Sequence, residues 1–148
     1  MIRLALAALA FALPVSAAAQ DHAYAVGQVW EYEEAPGDEG SLIKIQQIET
    51  IGPPDDPFLV YHISIIGLDF SDFGIPDEVQ HVPVSVGSLD MSVTLQHTGD
   101  ATFPDHSEGV RMWHEANGGV FTISLAEIVG IVREQIGPQM QRQTKSIK

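Results

Sequence analysis

The chain has 148 residues, 20 Asp and Glu against 7 Lys and Arg, a formal charge of −13 and no cysteine. These counts allow one domain and exclude disulfide, iron–sulfur and cysteine-ligated zinc sites. They also oppose nucleic acid, whose phosphates such a chain repels.

Residues Met1 to Ala19 carry one positive charge, Arg3, then the apolar run Leu4 to Leu13, a break at Pro14 and the small residues Ser16-Ala17-Ala18-Ala19. This is the pattern of a secretory signal over residues 1–19, with Ala17 and Ala19 as the small residues of the cleavage site. The run is about half the ~20 apolar residues a spanning helix needs, so the expected product is periplasmic or secreted with no transmembrane segment. Without Arg3 the remainder carries −14, and between Asp21 and Val132 nineteen acidic residues face only Lys44 and Arg111, a local charge of −17. A chain of that size buries enough surface to fold without staples, and no cofactor is expected.

Gly27 to Glu34 alternates large apolar and acidic side chains, which predicts a strand with one buried face. Ala35 to Gly40 is dense in turn formers, and Ser41 to Ile51 resumes a strand pattern. Symmetric pairing about the loop sets Trp30 against Ile45, Tyr32 against Ile43 and Glu31 against Lys44. After the breaker Gly52 to Pro57, Phe58 to Gly67 is apolar on both faces and reads as a central strand. Asp69 to Glu78 reads as an acidic loop, and Val79 to Val82 as a short strand ending where Pro83 removes a donor.

Ser85 can cap a helix over 86–97, weakened by Gly87. Gly99 to Gly109 reads as a polar loop, then Val110 to Ala116 and Val120 to Ile123 as a hairpin about Asn117-Gly118-Gly119. Ser124-Leu-Ala-Glu127 is a capping box, and Leu125, Ile128, Val129, Val132 and Ile136 follow at helical spacing until Gly137-Pro138. The expected architecture is a single α+β domain over 20–137, an antiparallel sheet of about five to six strands with two helices packed on one face, and a mobile polar and basic tail over 138–148.

The segments Gly27-Gln-Val-Trp-Glu-Tyr, Pro36-Gly-Asp-Glu-Gly-Ser, His81-Val-Pro-Val-Ser85 and Gly118-Gly-Val-Phe-Thr together resemble a family of small uncharacterised bacterial proteins, a domain of unknown function. The resemblance spans roughly residues 26–132, and this chain has Ala35 where the relatives often carry arginine. It implies a single domain and no activity.

Nucleophilic catalysis finds little support. There is no G-x-S-x-G elbow, and Ser41-Leu-Ile-Lys44 matches S-x-x-K only by letters, since on a strand its ends point to opposite faces. No two of the six histidines lie close enough in sequence for a helical ligand pair. A metal site assembled from His62, His81, His106 and His114 with nearby carboxylates is therefore the alternative reading, against half-buried strand and turn histidines. The loop Asp100 to Glu108 lacks the spacing of a calcium loop.

Trp30, Tyr32 and Trp113 at strand spacing are expected in the core, and one exposed tryptophan beside acids would anchor a partner. The leading expectation is a non-enzymatic, inhibitor- or immunity-like protein that binds a basic protein partner, with Trp30, Glu31, Glu33, His81, Ser85 and Trp113 as candidate binding residues.

Overall fold

The computed structural model describes residues 23–146; the expected signal at 1–19 and the last two residues of the expected tail lie outside the described residues. Among the described residues, an antiparallel sheet of five strands carries the helices packed against it, so the fold is α+β. The strands are β1 (Val29–Tyr32), β2 (Leu42–Ile51), β3 (Phe58–Ile66), β4 (Glu78–Val84) and β5 (Val93–His97), in the order β4-β3-β2-β1-β5. The helices are α1 (Val86–Asp90), α2 (Ser107–Glu115) and α3 (Leu125–Lys145). None of the described helices is long and apolar enough to cross a membrane.

Strand alternation decides the two faces. Trp30, Tyr32, Ile43, Ile45, Tyr61, Ile63, Ile65, Val82 and Val84 are buried together, and Leu89 of α1 with Leu125, Ile128 and Val129 of α3 closes this core. The other face carries Lys44, Gln47, Glu49, His62, Ser64 and His81, and α2 covers its β2–β4 half. β3 is buried on both faces from Val60 to Ile65, as its nearly continuous apolar pattern predicts, with His62 and Ser64 the buried polar exceptions.

Pairing of β1 with β2 is offset by two residues from the symmetric register. Trp30 opposes Ile43, Glu31 opposes Leu42 and Val29 opposes Lys44. A shift of two keeps every side chain on its face, so the apolar pairing survives while the Glu31–Lys44 pair does not. The turn is pinned elsewhere: buried Asp38 accepts hydrogen bonds from the Asp69 backbone N–H (3.0 Å) and from Arg133 (2.7 Å), and Tyr32 and Ser41 share a hydrogen bond of 2.8 Å. Lys44 instead lies over the Phe103 ring, 5.9 Å from its centroid.

The predicted helix over 86–97 is a correction. Ser85 does cap α1, accepting from the Ser88 N–H at 3.2 Å, but the helix ends at Asp90 and Val93–His97 pairs with β1. β-branched Val93 and Thr94 suit an extended chain, and β1 would otherwise leave a ladder edge unpaired. The predicted hairpin is also corrected: 110–115 lies in α2, where Arg111 bonds Glu108 and Glu115 at helical spacings, and of 120–123 only Phe121 forms an isolated bridge, to Val84. Asn117, at φ 48°, ends α2, and the Gly118 N–H reaches the Trp113 carbonyl at 2.9 Å. An Asn-Gly pair serves a helix end as well as a hairpin, which is why the two readings compete.

Pro83 lies inside β4 rather than ending it, tolerated because β4 is an edge strand. Phe121 completes that edge: its N–H donates to the Pro83 carbonyl at 3.0 Å and its carbonyl accepts from the Ser85 N–H at 2.9 Å. The capping box forms as read, Ser124 Oγ accepting from the Glu127 N–H and Glu127 accepting from the Ser124 N–H. α3 then passes through Pro138 to Lys145 instead of stopping at 137, without the one backbone bond that a proline cannot donate.

Candidate functional site

Two of the four histidines singled out from sequence, His62 and His114, reach one carboxyl group, and a third, His81, joins it through His62. His62, on β3 and fully buried, places Nε2 2.5 Å from Glu49 Oε1 and Nδ1 2.7 Å from Nε2 of His81 on β4. His114 of α2 places its own Nε2 3.1 Å from the same Glu49 oxygen. The His62 and His81 rings stack at 5.0 Å, and Trp113 of α2 meets His62 edge-on at 5.0 Å. His106, just before α2, contributes repulsion against protonation of both His62 and His81.

Burial under α2 lowers the basicity of His62, against the opposing pull of Glu49. Burial, followed by the neighbouring His62 and His106, pushes His81 down to about 4. Both rings are therefore neutral near pH 7, and the proton positions follow. A carboxylate only accepts, so His62 Nε2 donates to Glu49, His62 Nδ1 accepts from His81 Nε2, and the His81 Nδ1 is left as an acceptor. The three side chains form a hydrogen-bonded row, Glu49 to His62 to His81. The nearby Ser64 hydroxyl is not a partner for it, because it donates to the Gln80 carbonyl at 2.6 Å.

Glu49 is the member that sequence reading missed, and a bulge explains why. The β2–β3 register shifts between Ile45 and Gln47, so Gln46 is an extra residue. Ile43, Ile45 and Ile48 then face the core while Glu49 turns to His62. Gln46 directs its amide to Ser64 Oγ at 3.1 Å and to the Pro104 carbonyl at 3.2 Å. The break Ile-x-Ile-x-x-Ile is the sequence trace of this bulge. A second register shift on β4, between the partners of Ile63 and Ile65, brings His81 beside His62.

As it stands the cluster is a hydrogen-bonded network. Among the described residues no group of three or more His, Asp or Glu is arranged to hold a metal ion. Both nitrogens of His62 are already engaged.

A second feature lies on the same face at the β1–β5 end, which α2 does not cover. Glu31, Glu33, Glu34, Ser41, Thr94 and His97 line an open cleft of about 410 Å³. Glu31 and Glu33 are exposed, and Glu34 accepts from the Gly40 N–H at 3.0 Å. No Lys or Arg lines the cleft, and its nearest basic group is His97, 4.0 Å from Glu31.

The other candidate binding residues separate. Trp30 belongs to the core at 6% exposure, with its ring edge against Tyr24, which corrects its candidacy as an anchor. Ser85 caps α1, and His81 is part of the histidine network. Trp113 donates to the Gly119 carbonyl at 2.9 Å and, with Pro83, Val120 and Phe121, lines an apolar hollow of about 410 Å³. Glu31 and Glu33 alone of the six reach the acidic cleft. Compared with protein-family models, curated proteins and solved structures, the chain matches none.

Proposed function

We propose that the protein is an exported, non-enzymatic binding protein, inhibitor- or immunity-like, that takes a cationic partner in the cleft of Glu31, Glu33 and Glu34. The observation that carries this reading is the cleft itself, a concave site with three carboxyl side chains and no Lys or Arg in its lining. Three basic residues of the fold are committed elsewhere: Arg111 to Glu108 and Glu115, Arg133 to Asp38, and Lys44 over Phe103. Complementary charge at such a site raises the association rate and rejects anionic partners.

The test is binding of fluorescently labelled poly-lysine to the wild type and to the triple variant Glu31→Gln, Glu33→Gln, Glu34→Gln at two salt concentrations. The expected result is salt-sensitive binding weakened at least tenfold in the variant. Equal binding by both proteins overturns the reading.

A second reading, a metal-binding protein, draws on the approach of His62 and His114 to one Glu49 oxygen. It requires Glu49 and His62 to exchange their hydrogen bond for a shared ion. Metal content of the untagged protein, with the shift in melting temperature on adding chelator, tests it; neither metal nor shift ends it.

A further inference from the structure

We infer that the cationic partner binds as an extended strand, added to the open edge of β5 with alternate Lys or Arg side chains reaching into the acidic cleft. This deepens the proposed function and rests on it.

The two ends of the sheet differ. At β4 the edge is met by Phe121, which bridges Val84 and hydrogen-bonds on both sides of it. At β5 no described element follows, and Thr94, Leu95 and Gln96 are exposed, Leu95 to 62%. Edge strands of stable proteins are commonly blunted by proline, lysine or a covering segment, because their free N–H and C=O groups recruit another strand. Val93–His97 has neither a proline nor a lysine. Its one irregularity is the register shift against β1 between Trp30 and Tyr32.

Charge selects the occupant. The cleft that holds Glu31, Glu33 and Glu34 is also lined by Thr94 and His97 of β5, so a strand laid along β5 runs past it. Side chains of an added strand alternate between faces, and those on the cleft side meet carboxyl groups. A segment with Lys or Arg at every second position fits. A second copy of this chain does not, since pairing two β5 strands would bring two sets of these glutamates together.

The test uses a labelled octapeptide of alternating Lys and Thr, its Glu–Thr counterpart, and two forms of the Lys–Thr peptide with backbone N-methyl groups on all Lys or on all Thr. N-methylation removes donors while leaving the charge in place. The expected result is binding by the Lys–Thr peptide, none by the Glu–Thr peptide, at least tenfold weakening in one methylated form, and slowed amide exchange within 93–97. Equal binding by both methylated forms overturns strand addition and leaves the cationic-partner reading intact. If poly-lysine binds through the cleft but the octapeptide does not, strand addition fails in the same way. Loss of poly-lysine binding removes the reading on which it rests.

Discussion

Gly109 of α2 lies so close to His81 of β4 that a β-carbon built on the glycine would stand 2.3 Å from the β-carbon of the histidine. The approach brings α2 down onto the polar half of the sheet and seals His62 from water. An alanine in mid-helix ordinarily stabilises by about 1 kcal/mol over glycine. Here Gly109→Ala is expected to destabilise instead, by about 1–3 kcal/mol, because neither backbone can yield without lifting the helix. Urea unfolding measures the sign, and a gain in stability would contradict the packing described.

Removal of the acceptor beneath His62 separates hydrogen bonding from packing. Glu49→Gln keeps an oxygen for the His62 N–H and is expected to cost less than about 1 kcal/mol. Glu49→Leu leaves that fully buried N–H without its partner and is expected to cost about 1–3 kcal/mol. Equal costs in thermal denaturation would mean that the bond adds nothing.

Acid sensitivity follows from the same residues. The folded His81 binds its proton only near pH 4, whereas the unfolded side chain binds one near 6.5. Between these values the unfolded state holds more protons, so stability falls as pH drops from about 6.5 to 4 and this contribution is flat below. His62 adds in the same direction. His81 is only half-buried, so the expected loss is discounted to about 1–2 kcal/mol. Groups facing the pair are Glu49 from β2, His114 from α2 and His106 before it. Unfolding midpoints at pH 7 and 4.5 should differ more for the wild type than for His81→Gln, and parallel profiles would refute the assignment.

Arg133 and Asp38 join α3 to the loop after β1 across 95 positions of sequence. Asp38 is 1% exposed, and its Oδ2 has no hydrogen-bond partner. Arg133→Met should therefore cost about 3–5 kcal/mol by leaving a buried charge unpaired. Asp38→Asn in the same protein should recover much of that loss, and a double variant no more stable than the single one would show that the charge is not the cause.

The fold was readable where burial is periodic. β1, β3 and the capped start of α3 follow their alternation or helical spacing, because each presents one repeated pattern to one core. The segment at 93–97 was not, since the cap at Ser85 invites a helix that continues through it, and its β-branched Val93 and Thr94 gain their weight only once the unpaired side of β1 is known. α2 escaped for a related reason: its apolar stripe is reduced to Val110 and Trp113, and Trp113 packs against His62 rather than an aliphatic residue. His62, His81 and His114 were named for their side-chain chemistry. Their convergence depends on two sheet irregularities that no spacing rule anticipates, and Glu49 was invisible without them.

The extra residue at Gln46 has one more consequence. The two halves of β2 are out of phase, and this single position sets the phase. A one-codon deletion there would bring both halves into one unbroken alternation, with Gln47 still opposite His62 and Glu49 still on the histidine face, at the loss of the amide that reaches Ser64 and the Pro104 carbonyl. The histidine row therefore outlasts removal of the extra residue, and what chain length at Gln46 governs is the tie between β2 and the segment that leads into α2.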